Sequence, residues 1–162
     1  MTRHANIFAI LFDIADKQKQ EKILKNVLEN DEIPAITTPY FNFFELDVLC
    51  QMGKLTEVLD KIRSYWGGML DLGAVTFWEE YDPSVPKEEQ YDMYGDHFGK
   101  SLCHAWAASP IYFLAKYFAG LDLVNKDGVT YVLKPQMQYF TDLDCILPVG
   151  SDGTVRLAWD GE

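Results

Sequence analysis

Two stretches of this sequence carry side chains suited to chemistry. Gly73 to Glu80 reads GAVTFWEE and sets a pair of carboxylates, Glu79 and Glu80, directly behind an apolar and aromatic run. A carboxylate there is partly desolvated, so its proton affinity can be tuned. Ser101 to Leu114 reads SLCHAWAASPIYFL and sets a lone imidazole, His104, two positions from an indole, Trp106. Adjacent residues of an extended segment point to opposite sides, so only one of Glu79 and Glu80 can face a given cleft. The pair is therefore not itself a catalytic dyad. Hydrolysis of a glycoside needs two carboxylates on opposite sides of the scissile bond, and the second must come from elsewhere in space. Two plainer readings stand beside these: Glu79 as a solvated turn carboxylate, and His104 as a core histidine bonded to a backbone carbonyl.

The elements that must position these residues read as alternating helices. ANIFAILFDI, Ala5 to Ile14, is apolar on nearly every face and reads as buried all round. Asp16 can cap the next segment, where Ile23, Leu24, Val27 and Leu28 form one stripe against a polar face. Thr38-Pro39 combines a capping hydroxyl with a first-turn proline. It opens a third helix rich in Phe41, Phe43, Phe44, Leu46, Val48 and Leu49, which Gly53 ends. KLTEVLDKIRSYW follows with Leu55, Val58, Leu59, Ile62 and Trp66 on one stripe. A fifth helix is expected from about Ser101 to Ala119, kinked at Pro110. Buried and outer helices thus alternate as in the hairpins of an α/α toroid, yet three inner helices with two outer ones do not close such a ring. From Gly128 the period changes to two, with Val155, Leu157 and Trp159 on one face and a turn at Gly150–Gly153, which reads as a small antiparallel β appendage. The expected division is residues 1–122, part of a helical barrel, and 123–162, a strand domain belonging to a β-sandwich.

Composition narrows the partners. With 14 Lys and Arg against 25 Asp and Glu, the 162-residue chain carries a net charge of −11. That repels a phosphate backbone and argues against nucleic acid and anionic membranes. No apolar run reaches the length of a membrane span, so the chain reads as soluble with its compartment open, cytoplasmic or periplasmic. Cys50, Cys103 and Cys145 show no metal or redox spacing and read as buried thiols. Aromatic residues make up 14% of the chain, which suits a large core and also sugar rings, whose C–H faces stack on aromatic faces. The acidic loop from Tyr81 to His97 is longer than most connections. Asp92, Asp96 and His97 within it match no metal-ligand motif, and no cofactor or metal is implied.

GAVTFWEE resembles the Gly-Ala-Thr-Thr-x-Trp-Glu motif of the bacterial α-L-rhamnosidases, and SLCHAWAASPIYFL resembles that family's Ser-x-x-His-x-Trp-x-x-x-Pro segment. RHANIFAILFDIAD, TPYFNFFELDVLCQMG and the tail KPQ…LPVGSDGTVRLAW are similar to further stretches of the same family. The resemblance implies an inverting glycoside hydrolase with an (α/α)6 barrel, of which this chain is the C-terminal portion. It implies that Glu79 is the general base that activates water, that His104 bonds the rhamnose, and that Trp78 and Trp106 belong to the substrate pocket. Val75 stands where the family has threonine. The family's general acid lies upstream of anything in this chain. Glu45 and Asp47 are the inward carboxylates here, and the resemblance supports neither as the acid. The resulting expectations are a carbohydrate partner, little or no turnover by the chain alone, and self-association or pairing with a complementary part of the barrel. Two rivals remain: an inactive remnant or sugar-binding module, and a six-hairpin glycosidase for a different sugar.

Overall fold

The computed structural model describes residues 2–125 and 130–161. It is mainly α-helical with two small antiparallel sheets, and it divides into two compact units, Met1–Ser109 and Pro110–Glu162.

The first unit contains α1 (Arg3–Leu11), α2 (Lys17–Ile23, continued by a π-helical turn Leu24–Leu28), α3 (Pro39–Gln51) and α4 (Leu55–Lys61). α4 runs on through a π-helical turn, Ile62–Trp66, and a last α-helical turn, Gly67–Asp71. The apolar stripes explain the packing. Ile7 and Ile10 of α1, Leu24, Val27 and Leu28 of α2, Ile36 of the connection that follows and Val48 of α3 form one buried cluster. Each such side chain stabilises the fold by about 1.5–3 kcal/mol relative to exposure. Asp16 caps α2 by accepting the Lys19 amide at 2.9 Å. At the start of α3, Thr38 is extended but its hydroxyl makes no cap bond, so Pro39 at the first position sets that start by its fixed φ alone. Gly53 ends α3 in the left-handed region at φ +75°. Among the described residues these helices form no closed toroid.

Four expectations are corrected here. α1 is not buried all round: Ile7 and Ile10 face the core, whereas Phe12 and Ile14 beyond its end are 69% and 74% exposed, because α2 and α3 cover only one flank. α4 does not stop at Trp66 but continues through Gly67 and Gly68. A Cβ on Gly68 would lie 2.5 Å from the Tyr81 ring, so the glycine there makes room for a side chain of the loop that follows. The fifth helix, α5, begins at Ser109 rather than Ser101 (Ser109–Phe113, continued by a π-helical turn Leu114–Phe118). Pro110 thus sits in its first turn, where a missing N–H costs nothing, and no mid-helix kink arises. Of the cysteines only Cys50 is buried; Cys145 is half-buried and Cys103 exposed.

The second unit holds most of α5 and two separate hairpins. β1 (Leu121–Leu123) pairs with β2 (Tyr131–Leu133), and β3 (Asp142–Val149) pairs with β4 (Gly153–Asp160), both antiparallel. Gly128, where the period-two pattern was placed, lies outside the described residues. Leu143, Cys145 and Leu147 lie opposite Trp159, Leu157 and Val155, which puts the alternating apolar side chains on one face. Tyr131 joins the hairpins by accepting the Gly150 amide at 2.8 Å. Phe118 packs edge-on against Tyr139 and Phe140.

The polar keystone of the first unit is Arg3. Its guanidinium lies 3.3 Å from both carboxylate oxygens of Glu45 and donates to the Leu28 carbonyl at 2.8 Å, with the Asn30 and Ile33 carbonyls at 3.4 Å. Both side chains are buried. The pair therefore ties α1 to α3 and gathers carbonyls at and beyond the end of α2. Removing one partner strands a buried charge, and Glu45→Ala is expected to lower unfolding free energy by roughly 3–5 kcal/mol. Urea unfolding followed by circular dichroism measures this, and a loss under 1 kcal/mol would show that the pair does not hold the helices.

Candidate functional site

Glu79 and His104 meet because two extended segments pair. The His104 amide donates to the Phe77 carbonyl at 2.8 Å, and the Glu79 amide donates to the Ser101 carbonyl at 2.9 Å. The Thr76 hydroxyl adds a bond to the Leu102 carbonyl. Residues 76–79 and 101–104 thus form a two-stranded ribbon although neither is a formal strand. The sequence expectation that His104 sits on a helix is corrected: it is extended, at φ −128° and ψ 113°, one residue before a short 3-10 turn, Ala105–Ala107.

The turn of α4 into π-helix anchors both edges of this ribbon. Tyr65 donates its hydroxyl to the Thr37 carbonyl and accepts the Tyr81 amide at 3.1 Å, while next to it Trp66 donates Nε1–H to the Ala107 carbonyl at 2.8 Å. Burial holds the Tyr65 phenol well above its ordinary value, so it stays protonated and able to donate. One helical turn therefore grips the chain just after Glu80 and just after Trp106. π-turns inside helices occur often at functional sites, where they re-aim side chains.

Glu79 is 8% exposed and points inward, whereas Glu80 is half-buried on the other side of the segment. One Glu79 oxygen, Oε2, accepts the Ser101 amide at 3.1 Å and lies 3.8 Å from His104 Nδ1. The other, Oε1, accepts the Tyr94 hydroxyl at 3.3 Å. Trp78 is buried with its ring 5.6 Å from Tyr91, so it forms the wall behind Glu79 and presents no face outward. Trp106 does present one. It is 45% exposed, tilted over His104 at 4.2 Å between ring centroids and over Tyr40 of α3 at 5.4 Å. The His104 ring makes no hydrogen bond to a backbone carbonyl among the described residues. A carboxylate, an imidazole and an exposed aromatic platform therefore converge on one side of the ribbon.

The long loop covers this site. Gln90, buried, donates to the Asp82 and Val85 carbonyls at 2.6 and 2.8 Å and folds the loop onto itself. Lys100 is buried among Glu80, Asp82, Asp92 and Glu79; loss of hydration pulls its pKa below the ordinary lysine value against the attraction of those four carboxylates. His97 Nδ1 lies 2.6 Å from Asp92, and Asp96 accepts the Phe98 amide. No group of three or more His, Cys, Asp or Glu side chains is placed to hold a metal ion among the described residues, and no helix of the described residues is long and apolar enough to cross a membrane. The sequence reading did not name Tyr94, Ser101, Tyr65, Trp66 or Tyr40 as site residues. The aromatic richness of the loop was the signal for Tyr94. Glu45 is held by Arg3, and Asp47 accepts from Gln51 at 3.0 Å.

With this geometry established, the comparison with solved structures is specific. The chain is similar to part of a rhamnosidase. A Klebsiella oxytoca rhamnosidase with rhamnose bound superposes with a TM-score of 0.62 and 32% sequence identity. The match covers 72% of this chain and 22% of that one, so this chain spans well under a third of the length of that enzyme. No protein-family model matches the sequence, and no curated protein sequence matches it. The likeness supports a glycoside-hydrolase-like fragment.

The anchoring by α4 generates a test. Trp66→Phe keeps an aromatic ring but deletes the Nε1–H donor and part of the buried indole, leaving the Ala107 carbonyl unpaired at a buried position. The expected loss is at least about 1 kcal/mol, with faster amide exchange concentrated at residues 101–107. Hydrogen exchange by mass spectrometry reads this out, and a uniform change along the chain would contradict the anchoring role.

Proposed function

We propose that this chain is the portion of an α-L-rhamnosidase-type glycoside hydrolase that carries the general base, Glu79, and one side of the sugar pocket. The observation that carries the reading is the convergence of a nearly buried carboxylate, His104 and the exposed face of Trp106 in a chain similar to part of a rhamnosidase.

In an inverting reaction Glu79 takes a proton from water as the water oxygen bonds to the anomeric carbon. The glycosidic C–O bond breaks on the opposite face, and the leaving oxygen receives a proton from a separate acid. Glu79 suits the first half: its carboxylate is held by donors on both oxygens and lies beside an imidazole able to bond a sugar hydroxyl. Trp106 offers a stacking face for the C–H side of a deoxy sugar, and Trp78 stiffens the wall behind the base. The acid is supplied by residues outside this chain. A second reading, a sugar-binding module without turnover, is favoured by that same missing acid; it keeps the pocket and loses the chemistry.

Hydrolysis of an aryl α-L-rhamnoside separates the two. The chain alone is expected to show little or no turnover, and the chain extended through its upstream coding sequence is expected to turn over. Glu79→Gln should lower kcat of the extended protein by roughly 10²–10⁴-fold. Turnover insensitive to Glu79→Gln would sink the base assignment. L-Rhamnose binding to the chain alone, followed by tryptophan fluorescence, should weaken in His104→Ala. A further expectation follows from Phe12 and Ile14, which stand largely exposed on one flank of the first unit: the chain alone associates as its concentration rises. Light scattering checks this, and a monomer at every concentration would count against a missing barrel partner.

A further inference from the structure

We propose that Tyr94 is a positioning residue for Glu79, carried over the carboxylate by a turn whose backbone geometry a tyrosine does not otherwise favour. This rests on the reading of Glu79 as the reacting carboxylate.

Met93 and Asp96 exchange both backbone bonds, each 3.0 Å, around the two central residues Tyr94 and Gly95. Both central residues have positive φ, +56° and +83°. That is the signature of a type I′ turn, whose first central position normally takes Asn, Asp or Gly, because a side chain with a Cβ is strained there. Tyrosine is a poor choice on local grounds. Nor does packing explain it, since Tyr94 is 86% exposed. Its hydroxyl, however, reaches across to Glu79 Oε1 at 3.3 Å. Strain at a non-glycine residue whose one polar atom meets the candidate base points from an observed outlier to a role in the site.

The turn is also held from behind. A Cβ on Gly99 would lie 2.3 Å from the Met93 carbonyl, so the two strands of the loop approach each other as closely as only glycine permits. Tyr94 is thereby presented rather than left free at a loop tip. With the phenol on Oε1 and the Ser101 amide on Oε2, the carboxylate is gripped from residues 15 positions and 22 positions away. Its plane is fixed relative to His104. The negative charge of Glu79, the largest influence on the phenol, raises its pKa, and so the hydroxyl remains a donor.

The test uses the full chain labelled at tyrosine Cζ and glutamate Cδ and followed by NMR. Tyr94→Phe identifies the Tyr94 signal, and Glu79→Gln identifies that of Glu79. The Tyr94 phenol is expected to titrate above the ordinary tyrosine value and to move down in Glu79→Gln. The Glu79 carboxyl resonance is expected to move in Tyr94→Phe, where it has lost a donor. Tyr94→Asn is expected to melt higher, because the turn is relieved, while displacing the Glu79 resonance as Tyr94→Phe does. The proposal is overturned if the Tyr94 midpoint ignores Glu79→Gln, if the Glu79 resonance is the same with and without the phenol, or if Tyr94→Asn melts lower. Failure of L-rhamnose to bind would remove the rhamnoside reading instead, leaving the phenol–carboxylate coupling to stand or fall on these titrations.

Discussion

The site depends on one short backbone pairing, residues 76–79 against 101–104. Two amide-to-carbonyl bonds, Glu79 to Ser101 and His104 to Phe77, set the register. Because side chains alternate along an extended segment, that register decides that Glu79 and His104 share a face while Glu80 turns away. A slip of one residue would exchange Glu79 for Glu80 and dismantle the site without changing a single side chain. The Ser101 amide, donated to the Glu79 side chain rather than to the opposite backbone, shows that the pairing and the site use the same two residues.

What stabilises so short a ribbon comes from outside it. Two such bonds would not outweigh the entropy of ordering the segment. The ribbon is clamped at both ends by consecutive aromatic residues of α4, Tyr65 and Trp66, and backed by the buried Trp78. α4 in turn packs on α3, which is fixed to α1 by the Arg3–Glu45 pair. A chain of specific polar contacts, each buried or half-buried, therefore runs from the N-terminus to the candidate base. Buried polar groups of this kind contribute less to net stability than apolar packing does, but they punish any other arrangement, and that is what an accurately placed carboxylate requires.

Much of the fold was legible in the sequence because its signals are local. The stripes of α2 and α4, the Asp16 cap, the Gly53 stop and the alternation of β4 depend on neighbours within a turn or a strand, and each emerges in the structure where the pattern puts it. The failures share a cause as well. Apolarity on every face of α1 says that the helix can be covered all round, not that this chain covers it, and Phe12 and Ile14 show the difference. Ser101 to Ala108 carries helix-forming alanines, yet Pro110 fixes the helix start behind them, and the ribbon claims the residues before. Tertiary hydrogen bonds outweigh propensity there.

The candidate site was legible in part, and the part missed is instructive. Glu79 and His104 stand out through residue type and motif, which a sequence displays directly, and the structure brings the two side chains together. Tyr94 did not stand out, since one of the chain's nine tyrosines, set in a polar loop, carries no periodic signal. Its mark is a conflict between levels: a Tyr-Gly pair where the turn calls for Asn-Gly. Most positions in a folded chain agree with their local geometry, so a residue that disagrees directs attention to what its side chain reaches. Here the distant partner is the one nearly buried carboxylate of the ribbon. The side chains that recognise or convert a ligand can thus be sought in two ways: where the chemistry of the residue is conspicuous, and where its backbone is less stable than it needs to be.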